Sequence, residues 1–312
     1  MLAAVVQNNQ LHVDEIADPL PDLEEALVRV AASSINAGEV RGIRSAPHWQ
    51  LSHKEQGGWV PGWDFAGTVE KQAKSGKGLA VGTRVVGWTR QGAWAQRTAV
   101  PWDQMVALPD QVSFKDAATL PIAGLTAWHA LKLGGLKAGK KVLVTGAAGG
   151  VGRFALQLCA AANAPAIGVV GSKERAQSLA HITTNVSVGL PKEGEFDIIL
   201  ECVGGDDLAA TFKLVAMYGT IVSYGNASNA ATSFHADAAF RKPCLNLRSF
   251  SLHGELARCK SAAEGLGDLV ALLAAGKLKT EIDITTDLKG VMAACDSLTA
   301  RKVNGKAVLV LD

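Results

Sequence analysis

Paired cysteines are missing from this chain. Its five cysteines, Cys159, Cys202, Cys244, Cys259 and Cys295, stand far apart. None forms a C-x-x-C pair or has a histidine at ligand spacing, which argues against a disulfide framework and a structural zinc. They read as reduced, mostly buried thiols. An excess of one charge is also missing: 31 Lys and Arg face 29 Asp and Glu. A nucleic acid or an anionic membrane therefore has no electrostatic footprint here, and the expected partner is a small molecule. No hydrophobic run is long enough to span a bilayer, because Asn163 and Pro165 interrupt the longest candidate. The start, MLAAVVQNNQLHV, lacks the basic residues and the apolar length of a signal peptide, so a soluble, cytoplasmic protein is expected. Tyrosine is reduced to Tyr218 and Tyr224, which leaves the first two hundred residues without a phenolic proton donor.

A chain of 312 residues is long for one core, and two domains are expected. Over the first hundred residues, short β-branched or alternating runs such as ALVRVAAS and RVVGW, punctuated by Gly and Pro, predict an irregular barrel of short strands. Residues 42 to 62 show no period and predict a long loop of the kind that often carries function. From about residue 121 the texture becomes an alternation of strand-like and helical stretches, the signature of a parallel sheet built from βαβ units. Strands are predicted at KVLVTG, AIGVVG, FDIILECVG, YGTIVSYG and RSFSLHG, with NVSVGL as the sixth. Helices are predicted at VGRFALQLCAAANA and DDLAATFKLVAMYG. Past residue 254, two helices and the strand KAVLVL follow with no further phosphate loop. This tail is assigned to the first domain as a return that closes its sheet. The domains are thus expected at 1–120 plus 255–312, and at 121–254.

The stretch KVLVTGAAGGVGRFALQL carries the most chemistry. It runs from a strand through Gly146, Gly149, Gly150, Val151 and Gly152 into a helix. Such a turn lets backbone N–H groups and a helix N-terminus approach a pyrophosphate. The alternative, a glycine turn without a ligand, loses ground because the pattern follows a strand, opens a helix and begins a βαβ unit. At the end of the second strand, where an acid would hold the ribose 2′-hydroxyl of NAD, the chain has Ser172, Lys173 and Arg175. A hydroxyl and two cations suit the 2′-phosphate of NADP. Glu174 close by, and a merely solvated helix start, keep NAD open.

Seven ordered blocks, ALVRVAASSIN, VPGWDFAGTV, VGTRVVGWTRQGAWAQRTAVP, LPDQVSFKDAATLPIAGLTAWHAL, VLVTGAAGGVG, YGTIVSYGN and GKAVLV, make the chain resemble the medium-chain dehydrogenase/reductase superfamily. Within it, the chain resembles the zinc-free quinone oxidoreductase (zeta-crystallin-like) branch. The resemblance implies an α/β fold: a GroES-like β-barrel catalytic domain, split in sequence, around a Rossmann doubly wound parallel sheet. It also implies hydride transfer from NADPH in a cleft and a homodimer formed through the Rossmann domain. Residue by residue, it places Asn36 and Thr126 near the nicotinamide and Gly149, Gly150 and Val151 on the pyrophosphate. Ser172, Lys173 and Arg175 fall at the adenosine end. Gly225 and Asn226 lie at a strand's carboxyl edge, where open α/β sheets bind ligands. Arg301 either reaches the cofactor or lies on the surface.

Zinc-dependent relatives keep a Cys near the position of Asn36, a His-Glu pair at Trp63 and Asp64, and four closely spaced cysteines. None of those cysteines, nor the histidine, is present, so no zinc is expected. Without a Lewis acid an activated acceptor is the expected substrate: a quinone, or an enoyl thioester or alkenal. A dinucleotide-binding protein without turnover is the other class left open. Trp49, Trp59, Trp63 and His48 or His53 are candidates for the substrate side, against packing for the tryptophans and a solvated surface for the histidines. Asp64 is expected to be a buried, hydrogen-bonded peg, with Trp63 facing the substrate.

Overall fold

The computed structural model describes residues 1–45, 58–242, 244–259 and 261–311. The chain divides into two compact units, Met1–Ala123 with Cys259–Asp312, and Gly124–Arg258. The first opens on a hairpin of β1 (Leu2–Gln7) and β2 (Gln10–Glu15). Asn8 and Asn9 make its turn with φ of 53° and 61°, the left-handed conformation that two-residue hairpin turns require and asparagine tolerates.

The centre of this unit is β3 (Glu25–Ile35), buried over almost its whole length. Three partner strands pair with it. These are β4 (Asp64–Lys71), β6 (Arg97–Pro101) and β15 (Lys306–Val310), all antiparallel to it. With β5 (Arg84–Trp88), β7 (Met105–Ala107) and β14 (Ile282–Thr286) they form one seven-stranded sheet. Helices α1 (Ala37–Ser45), α2 (Phe114–Ala117), α9 (Ala263–Ala274) and α10 (Val291–Thr299) complete the unit. Val28, Val30, Ile35, Phe65, Trp94, Val291 and Leu309 are among the residues of its core.

In the second unit, six parallel strands lie in the order β10–β9–β8–β11–β12–β13. Their ranges are β8 Val142–Val144, β9 Ala166–Val170, β10 Val186–Val188, β11 Phe196–Glu201, β12 Val215–Ser223 and β13 Asn246–Ser249. The helices are α3 (Leu125–Leu133), α4 (Gly150–Ala161), α5 (Lys173–Gln177), α6 (Gly205–Leu214), α7 (Ala236–Phe240) and α8, which begins at Leu252 and ends at Cys259. The strand order reverses between β8 and β11, which puts the ligand-binding crevice of a doubly wound sheet at their carboxyl ends. No helix among the described residues is long and apolar enough to cross a membrane.

Some expectations need correction, and one strand went unpredicted. The first four residues of the predicted loop 42–62 belong to α1, and His48, Trp49 and His53 lie outside the described residues. Trp59 exchanges backbone hydrogen bonds with Val6 and packs on the core of its unit. The predicted strand RSFSLHG ends at Ser249, and the chain turns into α8, because Leu252 and Leu256, four apart, bury one helical face. Finally, β14 escapes sequence reading because it is a half-exposed edge strand in which Ile and polar residues alternate over only five positions.

Candidate active site

In the first unit β3 ends at Ile35, and Asn36 caps α1. The Asn36 N–H donates to Glu39 Oε2 at 2.6 Å, the reciprocal bond of a capping box. The other oxygen of Glu39 accepts from the Trp63 N–H at 2.6 Å, so one carboxylate ties the helix start to the entry of β4. Asp64, the first residue of β4, is 0% exposed. It accepts from the Ser34 hydroxyl, from Asn36 Nδ2 at 2.8 Å and from the Ile122 N–H at 2.6 Å. It is the buried, hydrogen-bonded peg that its apolar setting demands.

Lys306 enters the same cluster from β15. Its ammonium donates to Asn36 Oδ1 at 2.5 Å and to the Ile35 carbonyl at 3.4 Å, and lies 3.8 Å from Asp64 Oδ2. Burial pushes Glu39 up to about 8, with the adjacent Asp64 charge adding to the rise. Burial raises Asp64 as well, against the pull of Lys306 and its hydrogen-bond donors, and lowers Lys306. Asn36 is fully engaged: its amide nitrogen also donates to Glu39 at 3.1 Å, while its oxygen receives Lys306. The Trp63 ring lies over Gly38, where a Cβ would stand 2.8 Å from two ring carbons.

In the second unit β8 runs through Thr145 into the glycine turn. Gly146 has φ +59°, a left-handed conformation that glycine adopts at no steric cost. At Gly152 a Cβ would come within 2.5 Å of Ala147 Cα, so only glycine lets α4 start this close to the turn. The Gly149 N–H is used by Gly146 O at 2.9 Å. The N–H groups of Gly150, Val151 and Gly152, in the first turn of α4, have no intrahelical acceptor, an arrangement that favours negative charge nearby. At the end of β9, Ser172 caps α5, its hydroxyl accepting from the Arg175 N–H at 3.3 Å. Lys173 is exposed and Arg175 half-buried.

The carboxyl edge of β8, β11 and β12 holds Thr145, Glu201, Cys202 and Tyr224. Glu201 is 0% exposed and accepts from the Val203 and Gly204 N–H groups at 2.6 and 3.1 Å. Thr145 Oγ1 accepts from the Cys202 N–H at 3.0 Å. Burial raises the Cys202 thiol and the Tyr224 phenol. Gly225 fits against Cys202, whose carbonyl oxygen would lie 3.0 Å from an added Cβ, and Asn226 is exposed in the turn that follows.

The predicted residues thus fall into groups. Gly146, Gly149, Gly150, Val151 and Gly152 form one turn, with Ser172, Lys173 and Arg175 at the next strand end and Gly225 and Asn226 beyond β12. Thr126 is a buried residue of α3 in this unit. Asn36 and Trp63 meet through Glu39 in the first unit. Arg301 belongs to that unit too, but lies just past α10 with φ +56°, on a different element. Sequence reading missed Glu39, Lys306 and Ser34. The NAGE capping pattern was available for Glu39; Lys306, the polar first residue of β15, gave no signal.

These two units, a barrel-like sheet with a buried ionic cluster and a doubly wound sheet with a glycine turn, define a two-domain dehydrogenase/reductase. Residues 22–110 match the sequence model of the alcohol dehydrogenase GroES-like domain, and residues 175–309 that of a zinc-binding dehydrogenase. Prostaglandin reductase-3 of Bos taurus is 30% identical over 321 residues, covering 94% of this chain and 83% of its own. The highly reducing polyketide synthase apmlA of Arthrinium phaeospermum is 34% identical over 236 residues, which cover 68% of this chain but only 9% of that protein. The crystal structure of Escherichia coli quinone oxidoreductase complexed with NADPH superimposes with a TM-score of 0.87 at 25% identity, covering 99% of this chain and 100% of that one. The chain belongs to the medium-chain dehydrogenase/reductase superfamily, in the branch of the quinone oxidoreductases.

The zinc implied by the dehydrogenase model does not fit the donors present. An amide and an indole stand where the family's thiolate and imidazole would be, and both carboxylates face the Lys306 ammonium or N–H donors. Among the described residues no group of three or more His, Cys, Asp or Glu could hold a metal ion.

Proposed function

We propose that this chain is an NADPH-dependent oxidoreductase, independent of zinc, that passes hydride to a quinone or another activated C=C or C=O acceptor. The observation that carries this reading is the strand–glycine turn–helix followed, at the end of β9, by Ser172, Lys173 and Arg175 in place of an acid. NADPH, when bound, supplies the hydride. The N–H groups of Gly150, Val151 and Gly152 would hold its pyrophosphate, and Lys173 and Arg175 its 2′-phosphate. Gly225 and Asn226 would border the cofactor at the sheet edge.

Asn36, Trp63 and Thr126 are assigned to the nicotinamide and substrate side. For Asn36 the role is orientation, since its amide hydrogens already go to Glu39 and Asp64. An activated acceptor needs no Lewis acid, which agrees with a donor set unsuited to zinc. The protein then contributes positioning and exclusion of water. A second reading, an enoyl-thioester or 2-alkenal reductase, is favoured by the similarity to prostaglandin reductase-3 and to a highly reducing polyketide synthase.

We further propose a cytoplasmic homodimer formed through the second unit. Met217, Tyr218 and Leu247, 59%, 74% and 48% exposed on β12 and the edge strand β13, supply the apolar surface for the second copy. Initial rates of NADPH oxidation with quinones, alkenals and enoyl thioesters separate the two substrate readings. Quinone turnover supports the first, turnover confined to enoyl thioesters and alkenals supports the second, and tight NADPH binding without turnover contradicts both.

A further inference from the structure

Arg153 is an arginine only 3% exposed, at the fourth position of α4. Two physical costs attend this placement. A guanidinium loses its hydration, and a cation sits near the positive end of a helix dipole. Elsewhere on the helix surface an arginine would incur neither.

Its hydrogen bonds show what the placement achieves. Nε donates to the Ala148 carbonyl at 3.0 Å, inside the glycine turn between Gly146 and Gly149. The two terminal nitrogens donate to Ser178, one to its carbonyl at 3.1 Å and the other to its hydroxyl at 2.8 Å. Ser178 is the residue that ends α5, and its hydroxyl donates onward to the Arg175 carbonyl at 2.8 Å. A planar fork thus links the turn that would hold the pyrophosphate to the short helix that carries Lys173 and Arg175. With five residues, α5 is too short to fix its own geometry. The fully buried Leu179 anchors its far end, and the Arg153 fork adds directional bonds between that end and the glycine turn.

We infer that Arg153 is a positioning residue for cofactor selectivity: through Ser178 it sets α5, and hence Lys173 and Arg175, against the glycine turn, so that one ligand engages both. This rests on the reading of the unit as an NADPH site. Arg153 acts through the bonds it makes to Ala148 and Ser178. A lysine would keep the charge but not the fork, so it would not restore the function.

The test is fluorescence titration of NADPH and NADH against wild type, Arg153→Met, Arg153→Lys and Ser178→Ala, with circular dichroism and thermal melts to report folding. The ratio of the NADH to the NADPH dissociation constant is expected to fall about tenfold in Arg153→Met, nearly as much in Arg153→Lys, and by about threefold in Ser178→Ala. Ser178→Ala carries the test if the Arg153 variants fail to fold. A wild-type ratio in variants that are merely less thermostable would overturn the inference and leave the NADPH site standing. Equal affinity of the wild type for the two cofactors would also overturn it. No binding of either cofactor by the wild type would remove the underlying reading itself.

Discussion

Replacing Lys306 with methionine tests how the first unit tolerates its buried acids. The lysine is 4% exposed and is hydrogen-bonded to Asn36 and to the Ile35 carbonyl, with Asp64 at 3.8 Å. Glu39 is close enough for Lys306 to lower its proton affinity. Methionine keeps most of the volume, so the cavity contribution is small. Among the described residues, what is lost is the ammonium paired with buried Asp64, and stripping one partner from a buried ion pair costs about 3–5 kcal/mol. For a unit of this size, that corresponds to a drop in melting temperature of about 6–20 °C.

Urea unfolding followed by tryptophan fluorescence measures the loss directly, because Trp63 and Trp94 are buried in the affected unit. Adding Asp64→Asn to Lys306→Met should recover at least half of it, since the second substitution removes the stranded charge. The deficit should also shrink as pH falls, because Asp64, whose burial favours its neutral form, takes up a proton. A loss below about 1 kcal/mol, or a double variant no better than the single one, would refute the assignment of Lys306 as the countercharge of Asp64.

Wild-type stability should also depend on pH through Glu39. Its pKa is about 8 in the folded protein against an ordinary 4.5. The folded state therefore holds a proton that the unfolded state has already released. The resulting stability is complete below about 4.5 and is lost as pH rises through about 8, with a slope of up to ~1.4 kcal/mol per pH unit. Glu39→Gln should flatten that slope in urea midpoints taken from pH 5 to 8; an equal slope in both proteins would contradict the assignment. Replacing Lys173 and Arg175 together with alanine should raise the dissociation constant for NADPH by about ten- to a hundredfold while leaving NADH nearly unchanged, and equal changes would mean that these cations do not read a 2′-phosphate. Asn36→Ala should lower turnover and the melting temperature of the first unit while NADPH binding stays near wild type; wild-type rates would remove Asn36 from the active site.

The parts of the fold that were legible are those whose signal is local. The glycine turn needs Gly146 for a backbone conformation and Gly152 for close approach, and both demands show within seven residues. The inner strands of the second unit are apolar runs because helices cover both faces, so β8, β9, β11 and β12 could be marked. The ionic cluster could not. Asn36, Glu39, Asp64 and Lys306 come from the end of β3, from α1, from β4 and from β15, and only the sheet register brings them together. Lys306 and Arg153 were misleading individually, since lysine and arginine are rarely buried and in a sequence both look solvated. Asp64 was legible as a peg because its neighbours are apolar, yet the partners that hold it are remote in the chain.

The proposed chemistry is hydride transfer from NADPH without a metal ion. Initial rates of NADPH oxidation with a quinone and an enone panel, measured on protein stripped of divalent metals by chelator and dialysis, test it most directly. Turnover with at least one acceptor, undiminished by the stripping and faster with NADPH than with NADH, is the predicted result. Activity that disappears on stripping and returns with added zinc would contradict it.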